Sequence, residues 1–517
     1  MRRDLPRLAE TSFDLLVVGA GIFGACAAWD ASLRGLSVAV VDQDDFGSAT
    51  SANSLRIVHG GLRYLARGDF RRMRESIRER SALLRIAPGL VQSLEVLVPT
   101  YGHAAQGRMA HAAALALNDL ISFKRNRDLA RSSHIPGGRL VSRDECLSSF
   151  PWFPREGLTG GAVWYDAQLR HPERLTLSFL KSAARLGAQP ANYLRVDRLL
   201  TCSGAVQGAA VTDRLDGTQF EVRARVVLVA AGPWTERIVN TAVSTPTSPE
   251  TPLPLSKHAL AMNVVIRRRL GEVAVGVRAR SGSQEDPVCG GRRFLFCAPQ
   301  GKGSVLGTWY AASAKDSEST RAYGAKALVN EFNDACPGLE LTHPDVLDCQ
   351  WGWLPLKGGK EPGRPDALAE RPRITDHGAQ GVRHLISVEG VKFTTARLVV
   401  ERAIDRVFVS LGRAIPPCRT AEQQLDDSAV VPPEITDTLS EEEILRAVRQ
   451  EMSVKLSDLV FRRTRLGAAP KLHRPVVEAA ARIFGSASGW DESRIAEEVD
   501  AVMREAGAPR TALETVA

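Results

Sequence analysis

Three glycines near the start of the chain have the spacing of a phosphate-binding turn. Gly19, Gly21 and Gly24 form a G-x-G-x-x-G pattern directly after an apolar run that ends at Val18. The first glycine permits a tight bend, the second lets the backbone approach a pyrophosphate, and the third lets a helix pack closely on the strand. The amino terminus of that helix offers N–H groups to the phosphates. The spacing predicts a dinucleotide site, against the alternative of a glycine-rich turn without a ligand.

An acidic residue follows at the distance that such a site requires. Asp42 lies 23 positions after Gly19, at the end of the apolar run Val38–Val41. This order predicts a βαβ unit of about 30 residues, with a carboxylate that accepts hydrogen bonds from ribose hydroxyls. The pattern alone leaves FAD and NAD open. Gly232, after a second apolar run at 226–229, favours a flavoprotein, since flavin sites are often assembled from separate segments.

Further elements are needed to build the rest of the molecule. A last buried strand is predicted at Leu385–Val388 and a helix at 395–411. Ser440 and Glu443 have capping-box spacing and predict the start of a helical C-terminal region. Short strand-like runs indicate a mixed or antiparallel sheet at 261–266, 293–298 and 304–308.

Composition narrows the class of protein. The 517 residues, of which 44% are hydrophobic and 24% charged, predict two or three globular domains. A net charge of +8 is mild for this length; it permits anionic substrates or an anionic membrane surface and does not specify nucleic acid. No apolar run of about 18 residues predicts a membrane span. No apolar signal core precedes Asp14, so a cytoplasmic location is expected. Eight cysteines without a C-x-x-C pair predict neither a zinc site nor a disulfide framework, and no metal is expected.

Several longer motifs make the chain recognisable. Residues 59–65 read H-G-G-L-R-Y-L after a Thr/Ser-rich loop at 50–54, and Ala231–Trp234 reads A-G-P-W. Gly390–Thr395 is similar to a G-G-K-L-T-T motif, and Phe461–Gly467 is similar to an R-R-T-x-x-G motif. In these motifs the chain resembles the FAD-dependent glycerol-3-phosphate dehydrogenases, relatives of the D-amino-acid-oxidase-like flavoproteins.

The resemblance implies an α/β fold. It consists of a Rossmann-like FAD-binding domain, an interleaved mixed-sheet substrate domain and a C-terminal helical cap. The implied bounds are 1–425 for the oxidoreductase region, with FAD-binding segments at about 13–65, 190–235 and 380–412, substrate segments at about 85–175 and 255–375, and 426–517 for the cap.

The resemblance also implies an activity and a cofactor. The expected reaction oxidises a secondary alcohol, sn-glycerol 3-phosphate to dihydroxyacetone phosphate or a related polyol, by hydride transfer to FAD. Electrons then pass to a quinone or another acceptor, and a peripheral contact with the cytoplasmic membrane would suit a quinone. The oligomeric state stays open, with a homodimer among the alternatives. The implied cofactor-binding residues are Gly19, Gly21, Gly24, Asp42, Thr50, Ser51, Val196, Gly232, Gly390, Lys392 and Thr394.

Four residues are implied to act on the substrate side of the flavin. His59 is a suitable base for the hydroxyl proton, although outside this motif a structural histidine would be the better interpretation. Arg63 can hold an anionic group through paired hydrogen bonds, or form an ordinary ion pair. Lys392 would stabilise the negative charge of reduced flavin, or be a solvated lysine at a helix start. Tyr64 lines the site or packs in a core.

The chain departs from the family pattern where a substrate phosphate would bind. Leu354 and Asp376 stand where two family arginines are expected, and G-T-T-D is altered to Gly307–Tyr310. Each lost guanidinium removes about 1.5–3 kcal/mol of charge-assisted hydrogen bonding. Either nearby cations substitute or the substrate differs. The candidate substitutes are Lys357, Lys360 and Arg373, and the residues expected to form a more apolar pocket wall are Trp309, Tyr310, Trp353 and Leu354.

Alternatives to the implied activity remain. An amine, amino-acid or unphosphorylated-polyol oxidase could use the same fold, although the H-G-G-L-R-Y motif favours the dehydrogenase. A flavin-binding protein without catalysis would explain Leu354 and Asp376 but leaves His59 and Lys392 without a purpose. The basic stretch Arg67–Arg85 is interpreted as a solvated helix face that pairs with its own glutamates, with an anionic membrane surface as the alternative.

Overall fold

The structure is a computed structural model. It describes residues 1–102, 107–243, 258–280, 293–312, 318–357, 367–426, 438–469 and 471–515. The chain divides into two units. The first, here the cofactor unit, comprises Met1–Ala52, Pro172–Leu255 and Ala369–Ala506, and the second, the substrate unit, comprises Asn53–His171, Ser256–Leu368 and Gly507–Ala517. The bounds of the FAD-binding, substrate and cap segments given above stay a prediction.

Seventeen strands occur in the described ranges. In chain order they are β1 (Ser12–Val18), β2 (Val38–Val41), β3 (Ile57–Val58), β4 (Val91–Tyr101), β5 (Arg139–Val141), β6 (Leu158–Leu169), β7 (Gln189–Ala191), β8 (Leu194–Cys202), β9 (Ala205–Asp213), β10 (Gln219–Val229), β11 (His258–Ile266), β12 (Ala274–Arg278), β13 (Phe294–Gln300), β14 (Gly303–Ala312), β15 (Val346–Pro355), β16 (Arg373–Asp376) and β17 (Leu385–Glu389).

The described ranges also hold thirteen α-helices. They are α1 (Leu5–Glu10), α2 (Ile22–Leu33), α3 (Phe70–Ile86), α4 (Arg108–Ile121), α5 (Arg143–Ser149), α6 (Pro172–Arg185), α7 (Thr235–Val243), α8 (Glu318–Ala335), α9 (Ala396–Ser410), α10 (Glu441–Gln450), α11 (Leu456–Asp458), α12 (Arg474–Ser488) and α13 (Glu492–Thr515).

The cofactor unit is built on a largely parallel sheet. Its strand order is β16-β17-β10-β1-β2-β7, with β9 beside β10 and β8 beside β9. The pairs from β17 to β7 are parallel, whereas β16, β9 and β8 pair antiparallel to their neighbours. Strands β1 and β2 are buried on both faces, as near-continuous apolar runs in parallel sheets are. The predicted βαβ unit is therefore confirmed.

Helix α2 is apolar on nearly all sides because it is enclosed. It is alanine-rich, and its residues from Gly24 to Ser32 are buried. Trp29 meets Phe179 of α6 edge-to-face, with ring centroids 5.4 Å apart. The helix ends at Leu33, and Gly35 takes a φ of +83° that starts the chain back toward β2.

The substrate unit is built on a nine-stranded mixed sheet, as predicted from the short apolar runs. Its order is β15-β11-β14-β13-β12-β4-β6-β3, with β5 beside β6, and every pair is antiparallel except β12 with β4. One face packs with α8 into a large apolar core that includes Met262, Leu306 and Phe332. The opposite face holds a smaller apolar cluster around Val96 and Val305.

The C-terminal helices form a core of their own. Ser440 and Glu443 make the predicted capping box at the start of α10. Ile444, Val477 and Phe484 are buried together, and Val502 of α13 joins them. A helical C-terminal region is thus confirmed.

Candidate active site

The carboxyl ends of four parallel strands bring predicted cofactor residues to one edge of the sheet. Val18 of β1 pairs with Val41 of β2 and with Val229 of β10, and β10 pairs in parallel with β17. Open α/β sheets bind ligands outside this edge. The predicted residues that follow these strands are Gly19, Asp42, Gly232 and Gly390.

The glycine-rich turn has the close approaches that its sequence predicts. Gly19 has a φ of +96°, and a Cβ there would lie 2.7 Å from a carbonyl oxygen at the end of β10. A Cβ on Gly24 would collide with the carbonyl of Gly19. Gly21 caps α2, and a Cβ there would press on the hydroxyl of Ser51, which accepts a hydrogen bond from the first N–H of α2 at 3.0 Å. Thr50 adjoins Ser51 in the same loop. This cradle, open at a helix amino terminus, fits the diphosphate of a dinucleotide.

Asp42 is held by backbone donors. Its Oδ2 accepts from the N–H of Ala20 at 2.6 Å and its Oδ1 from the N–H of Asp44 at 3.0 Å. Burial raises the pKa of Asp42 to about 7 against the effect of these N–H groups, and the nearby carboxylates Asp44 and Asp45 add to the rise. Each oxygen keeps acceptor capacity, so donors from a ribose would be favourable here.

The remaining cofactor candidates lie in the same unit. A Cβ on Gly390 would overlap the ring of Phe23 in the first turn of α2, so only glycine fits there. Lys392 is the N-cap of a short 3₁₀ helix, Phe393–Thr395, in which Thr394 is buried. Val196 packs in the core under the sheet. The structure thus brings these residues into one unit, and their contacts with a cofactor stay a prediction.

In the substrate unit, His59 faces a buried carboxylate. His59 follows β3, and its Nδ1 lies 3.5 Å from Oδ2 of Asp166 on β6. The imidazole edge also contacts Phe296, with ring centroids 5.9 Å apart. The side chain of His59 is 39% exposed, whereas that of Asp166 is 5% exposed. The imidazole is therefore held at Nδ1 and stays partly exposed.

The Asp166 carboxylate has donors on both oxygens. Its Oδ1 accepts from the N–H of Gly60 at 2.5 Å and from Nη1 of Arg80 at 3.1 Å, and its Oδ2 accepts from Nε1 of Trp164 at 3.1 Å. Burial would raise the pKa of Asp166, but His59, Arg80 and the Gly60 N–H outweigh it and lower the pKa to about 2. A Cβ on Gly60 would collide with Arg80, so the first glycine of H-G-G-L-R-Y gives this network its space.

Arg63 and Tyr64 lie in a 3₁₀ helix over Leu62–Arg67. Arg63 is exposed, with its guanidinium 5.3 Å from the centre of the Tyr64 ring. Tyr64 is 3% exposed and packs with Met73 and Ile77 of α3. Of the two interpretations of Tyr64, the described contacts favour packing.

The prediction of an apolar pocket wall is wrong for two of its four residues. Trp309 belongs to the core under α8, where Gly324 leaves room for its ring, and the half-buried Trp353 packs against that core. Leu354 pairs with Ala259 of β11, and Tyr310 pairs with Ala261. These two alanines alternate along β11 with residues whose side chains belong to that core, so Leu354 and Tyr310 lie on the opposite face of the sheet.

The two candidate phosphate-binding cations that the structure describes, Arg373 and Lys357, belong to different units. Arg373 belongs to the cofactor unit and forms an ion pair with Glu389 at 2.6 Å. Asp376 accepts the N–H of Gly378 and so caps a turn. Lys357 is exposed just beyond β15, and Lys360 lies outside the described residues.

The interpretation of Arg67–Arg85 as a solvated face needs a correction. Arg71 and Glu75 do form an exposed pair at 3.6 Å. Glu79 and Arg80, however, are 1% and 4% exposed, because this side of α3 packs on the sheet. Sequence reasoning missed Arg80 and Asp166. The signal for Asp166 was a lone charge within the apolar strand at 161–169.

The fold and site define a class of protein: a dinucleotide-binding α/β oxidoreductase with a separate substrate sheet. Residues 14–403 match the family model described as FAD dependent oxidoreductase. Residues 413–495 match the C-terminal domain of alpha-glycerophosphate oxidase. The chain belongs to the FAD-dependent oxidoreductase family, and its cofactor is FAD.

Relatives and solved structures point the same way. The chain is 32% identical to a Synechocystis glycerol-3-phosphate dehydrogenase over 83% of its own length and 76% of that protein. It is 27% identical to the mouse mitochondrial glycerol-3-phosphate dehydrogenase over 90% of its length, and spans 62% of that longer protein. The structure of the Bacillus halodurans glycerol-3-phosphate dehydrogenase complexed with FAD superimposes with a TM-score of 0.69, covering 98% of this chain and 96% of that one at 21% identity. This likeness confirms the fold.

Proposed function

We propose that the protein is an FAD-dependent dehydrogenase that oxidises sn-glycerol 3-phosphate to dihydroxyacetone phosphate. The observation that carries the proposal is an accessible imidazole, His59, held by a buried carboxylate within the H-G-G-L-R-Y motif of a chain whose relatives bear this enzyme's name. FAD supplies a hydride acceptor when it is bound. His59 takes the hydroxyl proton as the C–H bond breaks.

The other predicted residues bind or orient. The cradle of Gly19, Gly21 and Ser51 holds the diphosphate, and Asp42 accepts hydrogen bonds from the ribose. Arg63, which is exposed, supplies a guanidinium for an anionic substrate group. Lys392 offers a positive charge to the reduced cofactor.

Flavin absorbance gives a direct test. The holoenzyme mixed anaerobically with sn-glycerol 3-phosphate should lose its flavin bands, and glycerol and a panel of amines and amino acids serve as comparisons. Bleaching by glycerol or amines alone would assign the protein to the alternative oxidase classes. No bleaching by the whole panel would favour a flavin-binding protein without catalysis.

We further propose that the electron acceptor is a membrane quinone, reached through an apolar face of α4. None of the helices in the described ranges has the length and apolar character to cross a membrane. Exposed apolar side chains instead follow one stripe of α4 and the turn after it: Met109, Leu117, Leu120 and Phe123. Exposed cations follow the stripe along the chain: Lys124, Arg127 and Arg131. An apolar face with a basic border suits the surface of an anionic bilayer.

Vesicle flotation tests this contact. Wild-type protein should float with vesicles that contain phosphatidylglycerol and not with phosphatidylcholine alone. Leu120→Glu with Phe123→Glu should abolish flotation, whereas Leu186→Glu, at a 51% exposed leucine of the cofactor unit, should not. If wild type does not float and the double variant turns a dimer into a monomer, a second copy of the chain covers this face instead.

A further inference from the structure

The network behind His59 contains a carboxylate to which the proposed reaction assigns no role. Asp166 is buried and is contacted by groups from three segments: the 58–61 turn, α3 and its own strand β6. A buried carboxylate costs free energy unless each oxygen is satisfied. Here Gly60, Arg80 and Trp164 each donate to it, and Nδ1 of His59 lies 3.5 Å from its Oδ2.

The chemistry of an imidazole makes this fourth contact consequential. A neutral imidazole carries one N–H, and the partner of one ring nitrogen decides which nitrogen keeps the proton. An ionised carboxylate can only accept, so it favours a proton on Nδ1 of His59. Nε2 of the partly exposed ring is then left with its lone pair, as a base requires.

We propose that Asp166 is a positioning residue that fixes the Nδ1–H tautomer of His59 and stabilises the imidazolium formed when Nε2 takes the substrate hydroxyl proton. The inference rests on the proposed function and deepens it. No proton passes to Asp166, because Arg80 and the Gly60 N–H favour its ionised form. Arg80 also donates to the carbonyl of Tyr165 at 2.7 Å and so is itself held in place.

Other charges bear on this network. Arg80 of α3 is the cation on Asp166, and Arg125 and Asp119, which pair with each other at 3.0 Å, act electrostatically on Arg80. Their effects on Arg80 oppose each other.

The first experiment compares Asp166→Asn with a matched control. Asparagine keeps the size of Asp166 but removes its charge, and its amide can donate to Nδ1, which favours the other tautomer. We expect the rate constant of anaerobic flavin reduction to fall about 100-fold, with FAD content retained. The acidic limb of the rate profile should move to lower pH, because the imidazolium has lost its carboxylate partner. The control is Glu95→Gln, which alters a carboxylate on the other face of β4 that accepts from Tyr165, and should reduce the rate less than about threefold.

The second experiment needs no substrate. Histidine ¹⁵N chemical shifts of the wild-type holoenzyme at pH 9, assigned by loss of one signal in His59→Gln, should show the Nδ1–H tautomer at His59. The Nε2–H tautomer would overturn the inference, as would an unchanged reduction rate in Asp166→Asn. If sn-glycerol 3-phosphate fails to reduce the wild-type flavin, the proposed function is wrong, and the tautomer still decides the role of Asp166.

Discussion

Two buried carboxylates, one in each unit, are built for different purposes. Asp45 of the cofactor unit accepts from Arg463 at 2.7 and 2.8 Å, from Arg462 at 2.5 Å and from the amide of Asn192 at 3.0 Å. Burial opposes ionisation of Asp45, but the two guanidinium groups outweigh it and lower its pKa. All of these partners are permanent donors.

Asp166 of the substrate unit has one partner of another kind. Three of its contacts are permanent donors, and the fourth is His59, which gains and loses a proton at its ring. Low pKa values in buried carboxylates therefore do not identify a functional site by themselves. A reactive pair differs from a purely structural ion-pair cluster in having a partner that can change its charge and that is exposed.

The largest expected effect is at His59, the partner of Asp166 that can change its charge. His59→Ala should lower the rate constant of flavin reduction by roughly 10²–10⁴-fold, because the base for the hydroxyl proton is lost. The visible spectrum and the FAD content should stay those of wild type, since the cofactor candidates lie in the other unit. Stopped-flow absorbance measures the rate. A rate equal to that of wild type would remove His59 from the reaction.

Substitution of Asp45 should lower the stability of the protein. Asp45→Ala leaves Arg462 and Arg463 buried without their shared carboxylate, which costs about 3–5 kcal/mol. Thermal release of flavin, followed by fluorescence, should shift to lower temperature. Asp44→Ala is the control, because the side chain of the neighbouring Asp44 forms an exposed ion pair with Arg214, worth about 0–1 kcal/mol. Similar shifts in both variants would mean that the buried ion pairs of Asp45 stabilise the protein no more than the exposed pair of Asp44 does.

A third carboxylate sharpens the comparison, because it lacks a cation among the partners that hold it. Burial raises the pKa of Asp42 to about 7. Ribose hydroxyl donors would favour the ionised form, so FAD affinity should increase as the pH rises through about 7, by up to about tenfold per unit below that value. Titration of FAD-free protein between pH 6 and 8 measures this slope, and Asp42→Asn should remove it.

The same shift predicts the sign of a stability change in FAD-free protein. Between about pH 4 and 7 the folded state keeps a proton on Asp42 that the unfolded chain has lost, so this residue's contribution to stability falls as the pH rises. Denaturation of wild type and Asp42→Asn at pH 5 and 8 should show the difference. A contribution that grows with pH would contradict the raised pKa.

How much the sequence could predict follows from the distance between partners along the chain. The glycine-rich turn and Asp42 lie within one βαβ unit, so local spacing was enough. The capping box at Ser440 needs only four residues. The Asp166 network joins residues 86 and 106 positions apart, and a single sequence contains no periodicity that links them. Trp309 was misplaced for a related reason: the face of a strand that α8 covers is decided by packing between elements distant in sequence.

The smallest effect is expected at Tyr64, which lies in the H-G-G-L-R-Y motif beside the reactive pair but has the surroundings of a core residue. The guanidinium carbon atoms of Arg63 and Arg72 lie 5.3 and 5.0 Å from the centre of its ring, which packs on Met73. Tyr64→Phe keeps the ring and these contacts, so the rate of flavin reduction should change less than about threefold and stability by about 1 kcal/mol. A fall in rate close to that of His59→Ala would place the Tyr64 hydroxyl in the reaction. Proximity in sequence to His59 would then be a better indicator of a role in the reaction than exposure is, because the hydroxyl would have to reach the substrate from a side chain that is 3% exposed.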